Sequence, residues 1–208
     1  MFKSKKLVAG IIIFVSIMLA TLSFYFYQVA KAPNLQVDKE DRYLLIPTGA
    51  TYQTVIDSLK STKMLHDELS FSFLAKLLDY QEAVKPGRYL IKKNMGNREA
   101  LLMLRAGRQT PVKLTFNNIR LKEELAYKLC RNLEADSIQF KSLLNNTPVV
   151  TQYGFDTTTI MCMFLPNTYE FYWNTSAQQL IDRMHKEYLK FWTEERKQKE
   201  DSRYPDSR

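Results

Sequence analysis

The topology of the chain depends on one stretch near its N-terminus, LVAGIIIFVSIMLATLSFYFYQVA, which occupies Leu7 to Ala30 and holds 24 residues without a charge. At about 1.5 Å of rise per residue, this stretch forms a helix of roughly 36 Å, whereas the hydrocarbon core of a bilayer is about 30 Å thick. The stretch is therefore predicted to cross a membrane once, with some tilt.

The flanks of this stretch predict its orientation. Lysines precede it at positions 3, 5 and 6, and aromatic residues from Phe24 to Tyr27 crowd its other end. Basic flanks stay in the cytoplasm and aromatic rings favour the interface, so everything from Lys31 onward is predicted to lie outside the cytoplasmic membrane. A cleaved signal peptide is the alternative, because Ala30-Lys31-Ala32 loosely resembles a cleavage site. Its apolar region would span only about 7 to 15 residues, so an uncleaved single-pass anchor is preferred.

The rest of the chain has the composition of a globular protein. Its 208 residues are 45% hydrophobic and include 6 Gly and 7 Pro, which excludes collagenous and low-complexity classes. Residues 31–208 carry 27 basic and 22 acidic side chains without a long basic run, so nucleic acid is not an expected partner. Cys130 and Cys162 fit small buried hydrophobic residues better than a disulfide, and His66 and His185 lack ligand neighbours. No metal or cofactor is predicted.

A linker and a compact module are predicted next. Residues 31–40 fit an exposed linker, and residues 41–107 fit a strand–helix–helix–strand order with strands at Arg42–Ile46 and Arg88–Ile91. Apolar residues recur at helical spacing after two N-cap candidates, Thr51 and Asp67. The residues predicted to face the core are Tyr52, Val55, Ile56, Leu59, Phe71, Leu74, Leu77 and Leu78.

A second folded region is predicted over residues 108–193. Before it, Asn97 is a candidate cap for a helix that ends at Gly107. The region ends in a charged tail at residues 194–208. Its predicted elements are a strand at Val112–Phe116, helices whose core faces include Leu121 and Ile138, a long connection at Asn145–Thr159, a buried strand at Ile160–Leu165 and a long helix after Ser176.

An aromatic cluster from Phe164 to Trp173 is the most distinctive segment, and it has two interpretations. Its rings can pack beneath the long helix while Pro166 ends a strand and the next two residues cap a turn. Alternatively, Asn167, Glu170 and the aromatic rings can line a sugar-binding groove, because rings stack on pyranose faces and amides bind hydroxyl groups. The residues alone favour packing but leave both interpretations open.

The same segment resembles a known family. Phe164-Leu165-Pro166-Asn167-Thr168-Tyr169-Glu170-Phe171 is similar to the F-P-[DE]-T-Y-x-F signature of the YceG-like endolytic murein transglycosylases. Two further stretches, Ile46 to Thr51 and Lys85 to Tyr89, are similar to the LysM-like subdomain of that family. The resemblance implies an α+β fold: a transmembrane helix at residues 1–30, a LysM-like βααβ subdomain at 41–107 and the start of a mixed α/β catalytic domain at 108–193.

The sequence departs from the family pattern at three places. Asn167 stands where the family commonly has Asp or Glu, and Thr115 to Arg120 stands where many members read T-I-P-E-G. The family's essential glutamate lies in an A-S-I-[VI]-E-x-E segment, and this string does not occur in residues 1–208. We therefore expect the catalytic glutamate beyond Arg208, and little or no turnover by the chain as given.

The resemblance implies cleavage of the bond between N-acetylmuramic acid and N-acetylglucosamine in nascent glycan strands, which leaves 1,6-anhydro ends. Glu170 is the only carboxylate within the aromatic cluster, but strand alternation points it away from Tyr169 and Phe171. Asn167 and Tyr169 are the predicted substrate-binding residues, as glycan contacts or as supports of the glutamate. Expected partners are peptidoglycan glycan strands, the membrane through Leu7 to Ala30, and peptidoglycan synthases.

Two other hypotheses remain. The chain could be a non-catalytic, membrane-tethered LysM-like protein that binds peptidoglycan, or a structural envelope protein with an α+β outer domain. Digestion of sacculi separates the first of these from an enzyme, because only cleavage produces anhydro ends.

Overall fold

The computed structural model describes residues 2–31, 33–35, 41–117, 119–193 and 196, with side chains from Leu7 onward. The chain has mixed α and β structure, as predicted, and divides into two compact units. We call Met1–Thr110 unit 1 and Pro111–Arg208 unit 2. The predicted charged tail lies outside the described residues, apart from Arg196.

Unit 1 begins with helix α1, Phe2–Lys31, which confirms the predicted long apolar helix. Residues Leu7–Lys31 have the length and composition of a membrane-crossing helix. N-terminal signal sequences can meet the same criterion of length and hydropathy, so the helix itself is compatible with both.

The other elements that the described part of unit 1 forms are three helices and four short strands. They are β1 (Pro33–Leu35), β2 (Arg42–Ile46), α2 (Tyr52–Ser61), α3 (Glu68–Leu77), β3 (Gly87–Ile91), β4 (Met95–Gly96) and α4 (Asn97–Ala106). Strands β2 and β3 are antiparallel, with Arg42 opposite Ile91 and Ile46 opposite Gly87. Strand β1 pairs with β4. The helices cover the β2–β3 pair and enclose one apolar core.

The predicted caps explain where α2 and α3 begin. The Thr51 hydroxyl accepts the N–H of Thr54, and the Thr54 hydroxyl in turn accepts the N–H of Thr51. Asp67 accepts the N–H of Leu69 at 3.0 Å. These bonds satisfy backbone donors that the first helical turn leaves free. Helix α4 ends as predicted at Gly107, whose φ of 71° is a left-handed conformation that glycine adopts without strain.

Three expectations for unit 1 need correction. Residues 33–35, within the predicted exposed linker, form strand β1 instead, and Leu35 is fully buried. Asn97 does not cap α4, because the cap position belongs to Gly96 and the Asn97 side chain is buried. Leu77 is exposed rather than core-facing, since the buried side of α3 runs through Phe71 and Leu74.

In its described residues, unit 2 contains two paired strands, four helices and a 3₁₀ turn. Its elements are β5 (Val112–Phe116), α5 (Lys122–Cys130), α6 (Ser137–Asn145), α7 (Thr147–Thr151), a 3₁₀ helix (Ile160–Met163), β6 (Asn167–Phe171) and α8 (Ala177–Phe191). The capping box predicted at Ser176 is confirmed, because Ser176 and Gln179 each accept the other's backbone N–H. Helix α7 occupies part of the predicted long connection.

The predicted buried strand at Ile160–Leu165 is wrong. Ile160–Met163 is a 3₁₀ helix, and the strand forms later, at Asn167–Phe171. Asp156 explains the turn, because its carboxylate accepts the backbone N–H groups of Thr158 and Thr159 and starts the chain on a helical path. A short apolar run fits a buried helical turn as well as a strand, so the pattern alone does not separate the two.

The predicted core faces of α5 and α6 are correct except at their N-terminal ends. Leu125 and Leu129 of α5 and Phe140 of α6 are buried as expected. Leu121 precedes α5 and Ile138 lies in the first turn of α6, and both are exposed. Their position at the helix starts explains the difference, because the apolar core of unit 2 lies beyond the first turn of each helix.

Candidate functional site

The two predicted substrate-binding residues lie on strand β6 of unit 2. This strand pairs antiparallel with β5, so that Phe116 stands opposite Asn167 and Leu114 stands opposite Tyr169. Side chains alternate between the two sides of a strand pair. One side therefore faces the core of unit 2 and the other faces solvent. Asn167 and Tyr169 share the same side, but Asn167 is exposed at the start of the strand whereas Tyr169 is buried.

Tyr169 belongs to the core side. It is 6% exposed, and its ring stacks on Phe116 with centroids 5.3 Å apart. Its hydroxyl donates a 2.8 Å hydrogen bond to the backbone oxygen of Leu165. The bond spans four residues and closes a loop around Pro166 and Asn167, so Tyr169 holds the start of β6 in place.

Asn167 lies at the exposed beginning of β6. Its side-chain oxygen accepts the backbone N–H of Thr168 at 2.7 Å. The two amide N–H donors of the side chain have no hydrogen-bond partner among the described residues. An asparagine in this arrangement presents two fixed donors to solvent, which suits the hydroxyl or acetamido oxygen of a sugar.

The solvent side of the strand pair is polar, and we call Lys113, Thr115, Thr168 and Glu170 its outer face. The hydroxyls of Thr115 and Thr168 lie 2.7 Å apart across the two strands. Lys113 and Glu170 form an ion pair at 3.7 Å, and the Glu170 side chain is 57% exposed. Glu170 points away from Tyr169 and Phe171, as predicted from strand alternation. A general acid of a glycan-cleaving site is typically buried among apolar groups, and Glu170 is exposed.

Helix α8 brings charge close to Tyr169. Arg183 donates from Nε and Nη2 to the same oxygen of Glu187, at 2.9 Å in both cases. Burial raises the pKa of the Tyr169 hydroxyl, and the negative Glu187 raises it further while Arg183 opposes this effect. Tyr169 is thus neutral at physiological pH and remains a hydrogen-bond donor to Leu165.

A second polar cluster, around Tyr153 and helix α8, was not predicted from the sequence. The Tyr153 hydroxyl donates to Asp182 at 2.5 Å and accepts from the Gln178 amide at 2.5 Å. The His185 ring packs edge-on against Tyr153, with centroids 5.1 Å apart. Burial, followed by the bond to Asp182, raises the pKa of Tyr153 to about 12. Gln178, Asp182 and His185 lie three or four residues apart on α8, a spacing that could have indicated one shared side.

The cysteines and histidines show no metal-binding arrangement within the described ranges. Cys130 and Cys162 are free thiols; Cys130 is buried, as predicted, whereas Cys162 is exposed. Burial raises the pKa of Cys130 to about 11. Among the described residues, no group of three or more His, Cys, Asp or Glu is placed to hold a metal ion.

Comparisons with known proteins place the chain in a family. A solved structure of a yceG-like protein from Listeria monocytogenes is similar, with a TM-score of 0.38 and 18% sequence identity over 80% of this chain. This chain spans 60% of the length of that protein. No curated protein sequence matches. The model of the YceG-like family matches residues 44–207, which run from within β2 to beyond the end of α8. The chain belongs to the YceG-like family.

Proposed function

We propose that this protein is a membrane-anchored endolytic murein lytic transglycosylase. The observation that carries the proposal is the family match over residues 44–207, together with the FLPNTYEF element that builds the start of β6. The substrate is the glycan strand of nascent peptidoglycan, and the bond cleaved joins N-acetylmuramic acid to N-acetylglucosamine.

The proposed reaction needs one carboxyl group. The acid protonates the glycosidic oxygen as the bond to C1 of N-acetylmuramic acid breaks. The C6 hydroxyl of the same sugar then attacks C1 and returns its proton to the carboxylate, which leaves a 1,6-anhydro ring and consumes no water. Hydrolytic glycosidases differ, because they use two carboxylates about 5 to 9.5 Å apart.

We assign no residue between 1 and 208 as the catalytic acid. Residues 1–208 lack the family's A-S-I-[VI]-E-x-E string, and Glu170 is a solvent-exposed partner of Lys113. We propose instead that this part of the protein contributes glycan binding. Asn167 supplies amide donors to the sugar, and Tyr169 is a positioning residue that fixes Asn167 through its bond to Leu165.

We also propose that β2, α2, α3 and β3 form the LysM-like subdomain of the family. The supporting observations are the order strand–helix–helix–strand and the antiparallel pairing of the two strands. Lys85 and Tyr89, which carry the sequence similarity, meet in the structure because the Tyr89 hydroxyl donates to the backbone oxygen of Lys85 at 3.0 Å. The subdomain would bind glycan independently of cleavage.

We propose that α1 is a retained single-pass anchor, with the N-terminus in the cytoplasm and the remainder outside. Val29 supports this choice, because it is buried in the core of unit 1 and its backbone oxygen accepts a 2.9 Å hydrogen bond from Asn97. Cleavage after Ala32 would remove both contacts. Resistance to alkaline extraction from membranes, with no loss of N-terminal mass, is the expected result.

The test of the glycan proposal uses the full chain and purified sacculi. We expect the chain to sediment with sacculi, and Asn167→Ala to weaken binding while Asn174→Ala does not. Asn174 is the matched control because it lies just beyond the C-terminal end of β6, and its replacement is the same Asn-to-Ala change in the same unit. Equal binding of all three proteins would reject Asn167 as a glycan contact.

The second candidate is a non-catalytic, membrane-tethered protein that binds peptidoglycan through the LysM-like fold. The exposed position of Glu170 favours it. Mass spectrometry of the same sacculus digest decides between the candidates. New 1,6-anhydro ends that disappear in Glu170→Gln would identify an acid within this chain. Binding without new ends by the complete gene product would support the second candidate.

A further inference from the structure

The C-terminal turn of α1 is built into unit 1. Val29 is 7% exposed within the core of unit 1, and Asn97 Nδ2 donates to its backbone oxygen. Gly96 of β4 approaches so closely that a Cβ there would lie 3.1 Å from the backbone oxygen of Lys31. These contacts fix the direction of α1 relative to α3 and α4, so an anchored α1 also fixes which side of unit 1 faces the membrane.

Helix α3 carries an exposed apolar row beside α1. Leu69, Phe73 and Leu77 are spaced by four residues, and they are 83%, 49% and 62% exposed. Residues at this spacing share one side of a helix. The Phe73 ring lies 6.0 Å from the ring of Phe26 in α1, so the row continues the apolar surface of the anchor. We call these three residues the α3 row.

A cationic cavity of about 520 Å³ lies at the end of α1. Its lining includes Lys31, Lys92, Arg98 and Arg108, with Glu99 as the only carboxylate. None of the four basic side chains forms an ion pair within the part of the chain that the structure describes. Four unpaired cations around one cavity favour an anionic occupant.

The row and the cavity lie at different depths along α1. Lys31 follows Phe26 by five residues, which is about 7.5 Å along a helix. With α1 crossing the membrane, Phe73 in the middle of the row therefore lies at the level of the interfacial aromatic residues, and the cavity beside Lys31 lies at the level of the lipid phosphates. Interfacial helices bury their apolar side about 5 to 10 Å into this boundary. The α3 row thus matches the acyl boundary of a lipid surface, and the cationic cavity matches its layer of phosphate groups.

We propose that unit 1 docks on the outer surface of the membrane, with the α3 row in the acyl boundary and the phosphate group of an anionic phospholipid in the cavity. The inference rests on the proposed anchor. It adds a second membrane contact and a lipid-binding site, which hold the LysM-like part of the chain at a defined distance from the bilayer.

Spin labels test the α3 row in the full chain reconstituted in nanodiscs. Cys162→Ser removes the exposed native thiol, and the label is then placed at Phe73→Cys, Leu77→Cys or Gln53→Cys. Gln53 is the control because it is exposed on α2 and bonds to Asp57. We expect relaxation by oxygen to dominate at positions 73 and 77, and relaxation by a water-soluble nickel complex to dominate at 53. Water exposure at all three positions would overturn the docking.

A label at Ile13→Cys separates failure of the docking from failure of the anchor. Oxygen-dominated relaxation at position 13 with water exposure at positions 73 and 77 would support the anchor and reject docking of the α3 row. Water exposure at 13 would reject the anchor, and the inference with it.

Lipid titration tests the cavity. Fluorescent phosphatidylglycerol is added to the full chain in neutral detergent, and two double variants of equal charge are compared. Lys92→Gln with Arg108→Gln changes the cavity, whereas Lys93→Gln with Arg105→Gln changes neighbouring exposed positions outside its lining. We expect the cavity variant to bind about 30-fold more weakly, the factor expected for two basic side chains beside an anionic lipid, and the control variant to change less than about twofold.

Competition by inorganic phosphate identifies the source of the anion. Weak competition at millimolar concentration supports the lipid. If inorganic phosphate displaces the fluorescent lipid at a concentration as low as that of the lipid itself, the cavity is a site for soluble phosphate and the assignment is overturned. Equal losses of lipid affinity in the two double variants would also overturn it.

Discussion

Asn34 donates a 2.7 Å hydrogen bond from Nδ2 to Oδ1 of Asn97, across 63 residues of sequence and inside the core of unit 1. Asn34 also bonds to the backbone oxygen and N–H of Asp67 at the start of α3, at 2.7 and 2.6 Å. Asn97 bonds to the backbone oxygen of Val29 near the end of α1. Two buried amides thus join the ends of three helices.

Removing one of these amides should therefore destabilise unit 1. Asn97→Ala leaves buried polar groups of Asn34 and Val29 without their partner, and we expect a loss of about 2 to 3 kcal/mol in the free energy of unfolding. Hydrogen exchange of the α4 amides in the full chain measures this loss. Asn117→Ala, an exposed change in unit 2, should leave the α4 amides unaffected.

The double variant Asn34→Ala/Asn97→Ala tests whether the two amides act as a pair. Each single change leaves the other asparagine without its buried hydrogen-bond partner. The loss in free energy of unfolding for the double variant should therefore be smaller than the sum of the two single losses, by about 1 kcal/mol or more. Simple additivity would show that the bond between them contributes little.

Two buried tyrosines of unit 1 should respond in opposite ways to loss of their hydroxyl. Tyr80 is fully buried and its hydroxyl has no hydrogen-bond partner among the described residues, so Tyr80→Phe should stabilise unit 1 by about 1 kcal/mol. Tyr89 donates to the Lys85 backbone oxygen, so Tyr89→Phe should destabilise it by about 1 kcal/mol. Urea unfolding of each variant beside the unchanged chain measures both effects. Destabilisation by Tyr80→Phe would indicate a partner for its hydroxyl.

Unit 1 should also lose stability in alkaline solution. Burial raises the pKa of Tyr89 from 10.0 to about 12. Below pH 10 the hydroxyl is protonated in both the folded and the unfolded chain. Between pH 10 and 12 only the unfolded chain releases its proton, so the free energy of unfolding falls as the pH rises. Unfolding midpoints across this range measure the decline, and Tyr89→Phe should make it shallower. An unchanged slope in that variant would assign the decline to other groups.

The sequence predicted elements well where a local signal was complete. Thr51 and Ser176 each combine a capping side chain with a helical apolar pattern, and α2 and α8 begin directly after them. Gly107 ends α4 because the required left-handed conformation is a property of that single residue. Local chemistry of this kind does not depend on the rest of the fold.

Prediction failed where distant contacts decide the structure. Asparagine is a common N-cap residue, but the side chain of Asn97 is buried in the core, where it accepts a hydrogen bond from Asn34. The candidate site shows the same limit. Asn167 is recognised through its motif. Tyr153 and Asp182, in contrast, are 29 residues apart, and their hydrogen bond follows from packing of α8 against the turn after α7. Spacing along α8 marks one side of that helix but does not identify the tyrosine.

The two thiols should react very differently with an alkylating reagent. Cys130 is buried and its pKa is raised to about 11, so almost no thiolate is present or accessible at pH 8. Cys162 is exposed. Iodoacetamide at pH 8 should therefore modify Cys162 and leave Cys130 intact until the chain is denatured, as measured by peptide mass spectrometry. Equal modification of the two thiols in the native chain would contradict the packing of α5.

Tyr169→Phe tests how the start of β6 is held. The change keeps the ring that stacks on Phe116 and removes the hydrogen bond to Leu165, so we expect a loss of about 1 kcal/mol in stability. Faster hydrogen exchange at the amides of Leu165, Asn167 and Thr168 should accompany this loss, and sacculus binding should weaken because Asn167 is less well fixed. Tyr172→Phe is the control, since the Tyr172 side chain is exposed one residue beyond β6. If Tyr169→Phe loses stability but binds sacculi normally, then Tyr169 supports the fold of unit 2 and does not position Asn167 for glycan.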